Sequence, residues 1–173
     1  MLCPPPNHFL PAEHVEWAKI LDAQPPFIKR ARSRGAKARG VVYERKVHDY
    51  LHEAAAFSRD ELVYTQSPWL AFQDISGRRW CQPDGILLRR ADKHVAVVEV
   101  KYQHTSDAWW QLWRLYIPVL RLIYPEHTFT ALEIVKWHDP HVHFPERYIL
   151  IASPTDFPRR GTTAVHIWNP QRA

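Results

Sequence analysis

Two acids and one lysine stand in β-type runs of the chain where a buried strand would normally carry apolar side chains. Asp84 and Glu99 lie on either side of a polar break, and Lys101 follows Glu99 by two residues. A two-residue hairpin turn at residues 91–92 would set Asp84 directly opposite Glu99. Lys101 leaves the same face of its strand as Glu99, because side chains alternate between the two faces. The spacing therefore predicts a pocket that holds two carboxylates and one ammonium group.

Such a pocket suits the hydrolysis of phosphodiesters, which needs a cation on the phosphate, an activated water and compensation for charge on the leaving oxygen. Carboxylate oxygens are the ligands that Mg²⁺ or Mn²⁺ prefers. Lys101 would hold the attacking water or stabilise the charge that builds on the phosphate. The alternative is a surface ion pair between Glu99 and Lys101 on an edge strand. The apolar neighbours Val97, Val98 and Val100 favour burial instead, where an acid needs a partner or a metal.

The elements predicted to position these residues follow the order helix, three strands, helix, two strands. The first helix carries an apolar stripe at helical spacing, and the third strand is apolar on both faces, as central strands are. Pro68 should interrupt the first strand, and Pro118 should bend the second helix by removing one hydrogen bond. The predicted helices are residues 36–57 and 107–124, and the predicted strands are residues 61–74, 79–89, 94–102, 128–137 and 147–152.

The chain has 173 residues, of which 46% are hydrophobic and 24% charged, a composition that suits one compact domain. Residues 1–35 are predicted to form a proline-rich arm with a short helix at residues 12–23, and residues 36–173 a single domain. The two cysteines lie far apart, so no disulfide framework is indicated. Neither a secretion signal nor an apolar run of about 18 residues occurs. A cytoplasmic protein of a bacterial or phage-infected cell fits these features best.

Basic residues crowd one stretch that leads into the first helix, and the chain carries a net charge of +5. This excess favours a polyanionic partner, namely nucleic acid and DNA in particular. The alternative is a solvated segment that only aids solubility. Arginine pairs at residues 78–79, 89–90 and 159–160 would follow phosphates or serve ordinary roles at strand ends. The residues predicted to bind nucleic acid are Lys29, Arg30, Arg32, Arg34, Lys37, Arg39, Arg45 and Lys46.

The motif formed by a proline, Asp84, fourteen intervening residues, Glu99, one further residue and Lys101 resembles the signature of the PD-(D/E)XK nuclease superfamily. That superfamily shares a restriction-endonuclease-like α-β-β-β-α-β core, and the predicted element order is similar over residues 36–137. The resemblance implies an α/β fold of the α+β type, with a central mixed sheet flanked by helices. It also implies that Asp84 and Glu99 hold Mg²⁺ or Mn²⁺ while Lys101 assists water activation.

Three further residues acquire roles from this resemblance. Glu44, which on its own would be an ordinary helix glutamate paired with a neighbouring basic residue, matches an acid that many members carry on the first helix. Gln111 resembles the glutamine on the second helix of the exonuclease-like and recombination-type branches. The carbonyl of Val100 would complete the metal shell. The chain departs from those branches four residues after the glutamine, where Leu115 replaces a common tyrosine and Tyr116 follows one position later.

A second group of candidate ligands is the histidine cluster His138, His141 and His143. Three imidazoles can bind Zn²⁺, but no cysteine is near and Pro140 marks a turn, so a loop with solvent-facing or DNA-contacting histidines is favoured.

Two functions are compatible with these patterns. The first is a metal-dependent deoxyribonuclease with Glu44, Asp84, Glu99, Lys101 and Gln111 in its catalytic site. The second is a catalytically silent module of the same fold that binds DNA or serves as a structural subunit of a phage or DNA-processing assembly. A homodimer is possible in either case, and both endonucleolytic and exonucleolytic cleavage, of DNA or of RNA, fit the motif.

Overall fold

The structure is a computed structural model that describes residues 5–6, 9–28, 36–58, 61–139, 141, 144–158 and 161–170. Its helical elements are α1 (Ala36–Ala56), α2 (Ser106–Gln111), a π-helical turn (Leu112–Tyr116) and α3 (Ile117–Ile123). Its strands are β1 (Trp17–Leu21), β2 (Leu62–Gln66), β3 (Trp69–Asp74), β4 (Gly77–Cys81), β5 (Gly85–Arg89), β6 (His94–Gln103), β7 (Thr128–Trp137), β8 (Tyr148–Ile151) and β9 (Thr163–Ile167).

These strands form two sheets. The larger has six strands in the order β2-β5-β6-β7-β9-β8, and the smaller has three in the order β1-β3-β4. In the large sheet β2, β5 and β6 are antiparallel neighbours, whereas β6, β7, β9 and β8 run parallel to one another. The predicted mixed sheet of an α/β protein is therefore confirmed.

The hairpin of β5 and β6 has the predicted register. Its pairs run from Arg89 opposite His94 to Gly85 opposite Val98, so the next position brings Asp84 level with Glu99. Strand β6 is buried along its first seven residues and lies between β5 and β7, as its continuous apolar run predicts. The hairpin thus fixes the edge of the sheet where the acids lie.

Helix α1 covers one face of the large sheet and agrees with the predicted helix at residues 36–57. Its side chains Tyr43, Val47 and Leu51 are buried and pack with Val98 and Ile134 of the sheet. These positions recur at helical spacing, so a single face of the helix provides the contact.

The second predicted helix is continuous but changes geometry ahead of Pro118, where a bend was expected. Pro118 has no N–H, so the carbonyl of Arg114 loses its helical donor and instead accepts from the backbone N–H of Ala12 at 2.7 Å. The N–H of Ile117 reaches back five residues to the carbonyl of Leu112, which is the π-helical pattern. The proline therefore produces a wider turn that the N-terminal segment also contacts.

The helix predicted at residues 12–23 is wrong, because Trp17–Leu21 is the strand β1. This strand pairs antiparallel with β3, which gives its backbone groups the hydrogen bonds that a helix would otherwise supply. Val15 and Ala18 still pack on the core beneath the second helix, so the apolar pattern was real and its period was misassigned.

Two of the predicted strands are each two strands in different sheets. The prediction for residues 61–74 divides into β2 and β3 at Pro68, where an interruption was expected. The prediction for residues 79–89 divides into β4 and β5 around Pro83, which was not expected. A proline lacks the ladder donor, so the chain leaves one sheet there and enters the other.

Strand β9 was not predicted, although it lies between β7 and β8. Its buried polar residues conceal the apolar signal: Thr163 accepts a hydrogen bond from Trp113 at 2.8 Å, and His166 bonds the carbonyl of Ile151 at 3.1 Å. The strand predicted at residues 147–152 is present as β8 at the edge of the sheet. Among the described residues, no helix has both the length and the apolarity needed to cross a membrane.

Candidate active site

The site predicted from the motif lies at the edge of the large sheet where β5 begins, with α2 above it. Asp84 directly precedes β5, and its Oδ2 accepts the backbone N–H of Val100 at 2.6 Å. In β6, the Nζ of Lys101 donates to Glu99 Oε1 at 2.6 Å and to Gln111 Oε1 at 2.8 Å. The structure therefore brings Asp84, Glu99, Lys101 and Gln111 together from three elements.

Burial sets the electrostatics of the two acids. Glu99 is only 3% exposed, and burial raises the pKa of its carboxyl group against the opposing pull of Lys101. Burial also raises the pKa of Asp84 well above its ordinary value, and the carboxylates of Glu99 and Glu44 add to the effect. The folded protein therefore holds acids that favour a proton or another cation.

Lys101 keeps its charge in this setting. Burial opposes the charged form of its amine, but the carboxylates of Glu99, Asp84 and Glu133 together outweigh burial and leave the pKa of Lys101 above its ordinary value. Because an ammonium group can only donate hydrogen bonds, Lys101 presents a fixed positive charge at the sheet edge. Gln111 orients that charge through its amide oxygen.

One oxygen of Glu99 has no hydrogen-bond partner in the described part of the chain. Oε1 accepts from Lys101, whereas Oε2 is buried and unpartnered. A buried carboxylate oxygen without a donor costs free energy, and a cation beside it would remove that cost. The hard oxygens of Asp84 and Glu99 therefore fit Mg²⁺ or Mn²⁺ by their chemistry. Within the described ranges no three His, Cys, Asp or Glu side chains already converge on one point as a metal cage.

Glu44 of α1 both pairs with a neighbouring histidine and influences the charge of the two acids at the sheet edge. Its carboxylate is 37% exposed and lies 3.5 Å from His48 Nε2, as the ordinary ion-pair interpretation expects. The same carboxylate raises the pKa of both Asp84 and Glu99, so it lies within electrostatic range of the sheet edge. His48 is itself fixed by a 2.6 Å hydrogen bond between its Nδ1 and the hydroxyl of Tyr64.

A further buried acid was missed by the sequence reasoning. Glu133 of β7 lies in register with Glu99, and its fully buried carboxylate contacts His104 Nδ1 at 2.5 Å. Burial raises the pKa of Glu133, while hydrogen bonding and charge from His104 oppose that rise. The signal was available, because Glu133 interrupts an apolar strand as Glu99 does. Its partner could not be found in the same way, since His104 lies in a loop after β6.

Tyr116 follows by one position the site where related branches commonly carry a tyrosine. The π-helical turn widens the helix by one residue, so position 116 returns to the side that position 115 would occupy in a regular α-helix. Tyr116 is 5% exposed. Burial, and then the charges of Glu99 and Asp84, raise the pKa of its phenol well above the ordinary value, which places the ring near both acids.

The histidine cluster is not a convergent site in the described residues. His138 Nε2 bonds the hydroxyl of Tyr148 at 2.8 Å, and its ring stacks on His104 with the centroids 4.5 Å apart. His141 is exposed, and its backbone N–H donates to Asp139 at 2.9 Å. His143 lies outside the described residues. His138 is thus a half-buried structural contact instead of a solvent-facing side chain.

Two arginines from the predicted pairs have structural roles. Arg79 donates to Asp74 at 2.7 Å and to the carbonyls of Pro11 and Leu10 at 2.8 and 2.6 Å. Arg89 is 3% exposed and bonds Asp92 at 3.0 Å. These contacts favour a structural role over phosphate binding for both. The pair at residues 159–160 lies outside the described ranges.

The predicted basic stretch is described only in part. Lys29, Arg30, Arg32 and Arg34 lie outside the described residues, as does the side chain of Lys37, whose backbone belongs to α1. Arg39, Arg45 and Lys46 are exposed on α1. Arg39 and Lys46 line a cavity of about 330 Å³ together with Lys136 of β7.

No protein-family model, no curated protein and no solved structure matches this chain. Fold and site therefore define a class by geometry: a mixed α/β protein with a buried acid, a half-buried acid and a charged lysine at one edge of its sheet.

Proposed function

We propose that this protein is a metal-dependent nuclease that hydrolyses phosphodiester bonds of DNA. The observation that carries the proposal is the convergence of Asp84, Glu99, Lys101 and Gln111, with Glu99 Oε2 buried and unpartnered among the described residues. These side chains would supply oxygen ligands for a cation and a positive donor beside them, which together could activate water and compensate charge during phosphodiester hydrolysis.

The order of elements supports a restriction-endonuclease-like core of the PD-(D/E)XK type. The elements α1, β2, β5, β6, the second helix and β7 follow the α-β-β-β-α-β order, with β2-β5-β6-β7 adjacent in one sheet. Strands β3 and β4 are an excursion from that core into the second sheet. This agreement, together with the motif, supports membership of the superfamily.

Asp84 and Glu99 would hold Mg²⁺ or Mn²⁺, with Glu44 and the carbonyl of Val100 as further ligands. The bound cation would supply Lewis-acid polarisation of the phosphate and a lower pKa for water. Asp84 is positioned for this role by the N–H of Val100, which fixes one of its oxygens and leaves the other for a ligand.

Lys101 would act as a hydrogen-bond donor. Its ammonium group stays charged beside Glu99, so it would orient the attacking water or stabilise negative charge on the phosphate oxygens. Gln111 would keep the ammonium group at the sheet edge through their 2.8 Å hydrogen bond.

The alternative function, a catalytically silent module of the same fold, does not account for the buried acid at the site. A site without turnover gains nothing from a buried, unpartnered carboxylate oxygen, because that atom lowers stability. A thermal-shift titration distinguishes the two: Mn²⁺ at about 100 times its Kd would add about 2.7 kcal/mol to the stability of a protein with a built site. A silent module would show no such rise.

Cleavage assays with matched lysine variants test the proposal. Purified protein is incubated with Mg²⁺ or Mn²⁺ and with single-stranded, linear duplex and supercoiled DNA, beside Lys101→Ala and Lys93→Ala. Lys93 is the control, because it also pairs with a glutamate, Glu126, but on the exposed surface. We expect Lys101→Ala to lose about 100-fold or more in rate and Lys93→Ala to match the wild type. Equal rates in all three proteins, or no cleavage of any DNA form, would refute the assignment.

A further inference from the structure

A second cavity lies at the carboxyl ends of the parallel strands. It has a volume of about 670 Å³, and its lining includes Lys136 and Trp137 of β7, Trp168 after β9 and Ala152 after β8. Ligands of open α/β sheets commonly bind beyond the carboxyl ends of parallel strands, and cavities of this size hold molecules as large as a nucleotide.

Aromatic rings dominate one wall of this cavity. Tyr50 of α1 stacks on Trp168 with ring centroids 4.6 Å apart and planes only 1° apart. His166 continues the stack on Tyr50 at 5.8 Å and is fixed by bonds to the Tyr50 hydroxyl and the Ile151 carbonyl. Trp137, in contrast, keeps 43% of its surface exposed at the end of β7. The lining therefore combines a stack of Tyr50, Trp168 and His166 with a separate, solvent-facing indole at the end of β7.

Positive charge leads into the cavity from one side. Lys136 lines both this cavity and the smaller one that Arg39 and Lys46 of α1 also line, so the two adjoin. Lys136 is held in place by Tyr102, with its Nζ 3.2 Å from the hydroxyl and 4.9 Å from the ring centroid. Three cations from two distant parts of the chain thus border an aromatic surface.

This combination matches single-stranded nucleic acid. Positive grooves follow the phosphate backbone, while aromatic side chains stack on successive bases whatever their sequence. A duplex cannot use the aromatic wall in this way, because its base faces are already stacked on one another. A small phosphate compound would need only one cation, whereas here the cations extend along a second cavity.

We infer that the cavity of Trp137, Trp168 and Lys136 binds an unpaired nucleotide of single-stranded DNA, whose backbone then crosses Arg39 and Lys46. The inference rests on the proposed function, since it names the substrate class of the same protein. Lys101 and Tyr102 are consecutive in β6 and leave opposite faces, so the strand would reach the acids by passing over the carboxyl edge of the sheet.

Fluorescence anisotropy with a labelled oligothymidine and with a duplex of the same length tests this inference, in EDTA so that no cleavage occurs. The variants are Trp137→Ala, Trp137→Phe and the matched control Trp17→Ala, whose indole is 41% exposed on the other sheet. We expect tighter binding of the single strand than of the duplex and about tenfold weaker binding by Trp137→Ala. Trp137→Phe should recover most of the affinity, and Trp17→Ala should match the wild type.

Equal affinity for the two DNA forms, wild-type binding by Trp137→Ala, or an equal loss in both tryptophan-to-alanine variants would overturn the inference. The lysine cleavage assay separates this failure from that of the proposed function. If Lys101→Ala loses cleavage while Trp137→Ala binds single-stranded DNA like the wild type, the cavity inference fails and the proposed nuclease function stands. If Trp137→Ala binds single-stranded DNA more weakly than the wild type but no protein cleaves DNA, the cavity inference stands and the proposed nuclease function fails.

Discussion

Glu99 has one satisfied and one unsatisfied carboxylate oxygen. Lys101 occupies Oε1, and Oε2 is buried with no partner in the described part of the molecule. Residues that break the rules of a well-paired interior are expected mainly at functional sites, because stability alone would remove them. The same reasoning applies to Asp84, whose pKa is raised well above the ordinary value by burial and by Glu99.

The stability of the fold should depend on pH through His94. Burial, and then the charge of Arg89, lower the pKa of His94 from 6.5 to about 4. Below pH 6.5 the unfolded chain binds a proton there that the folded protein resists, until the pH falls to about 4. The free energy of unfolding should therefore rise with pH between about 4 and 6.5. Above that window both states hold a neutral His94, and the penalty for protonation is absent.

Urea denaturation of the wild type and His94→Gln at several pH values measures this effect. The glutamine keeps hydrogen-bonding capacity toward Thr130, which lies 2.9 Å from His94 Nε2, but it does not titrate. The stability advantage of the wild type over the variant should shrink as the pH falls from 6.5 toward 4. Stability curves that stay parallel would contradict the assignment.

Single residues were predictable wherever they broke an apolar pattern. Asp84, Glu99 and Lys101 stood out because acids and a lysine interrupt buried strands, and the hairpin register followed from the turn. Glu133 gave the same signal without a motif around it. The partner of Glu133 was beyond prediction, since His104 meets it only through the parallel pairing of β6 and β7.

At the scale of elements, β5 approaches β2 so closely that position 85 excludes a side chain. A Cβ on Gly85 would lie 2.6 Å from Cε2 of Tyr64, whose hydroxyl is fixed by His48 at 2.6 Å. Gly85→Ala should therefore destabilise the protein by about 1–3 kcal/mol through overpacking. Gly40→Ala, inside α1 with nothing within 4 Å, should instead stabilise it by about 0.5–1 kcal/mol.

Chemical denaturation of both alanine variants provides the measurement, and a Tyr64→Ala background provides the control. Removing the Tyr64 ring should abolish most of the Gly85→Ala cost, because the clash is with that ring. An equal cost in both backgrounds would show that the glycine is required for another reason.

Elements with one strong period were predictable, and those shaped by tertiary contacts were not. Helix α1 and strands β6 and β7 follow from their sequences alone. The π-helical turn does not. Pro118 leaves the carbonyl of Arg114 without a helical donor, and the N–H of Ala12, which is distant in sequence, donates to that carbonyl instead. Strand β1 likewise exists because β3 offers it an edge.

For the whole molecule, the second sheet explains most of what sequence reasoning missed. The chain enters that sheet at Pro68 and leaves it at Pro83. Each of the strands predicted at residues 61–74 and 79–89 is therefore two strands, one in each sheet. Arg79 of this sheet binds buried Asp74 and the carbonyls of residues 10 and 11, which ties the N-terminal segment to the body. These long-range contacts set the topology and leave no local pattern.

The arrangement of charge is also a property of the whole molecule. The net charge of +5 predicts a polyanionic partner but not the surface that binds it. In the fold, Arg39 and Lys46 of α1 share a cavity with Lys136 of β7, while Asp84 precedes β5 and Glu99 lies in β6. Positive charge near an acidic centre is consistent with the proposed nuclease, because cations attract the phosphate backbone of DNA.

The rate of DNA cleavage as a function of Mn²⁺ concentration tests the central claim most directly, in the wild type, Asp84→Asn and Asp49→Asn. Asp49 is the matched control, an exposed acid on α1. We predict saturable Mn²⁺-dependent cleavage, at least about 100-fold slower in Asp84→Asn and unchanged in Asp49→Asn. Cleavage that needs no divalent cation, or equal rates for wild type and Asp84→Asn, would contradict the account.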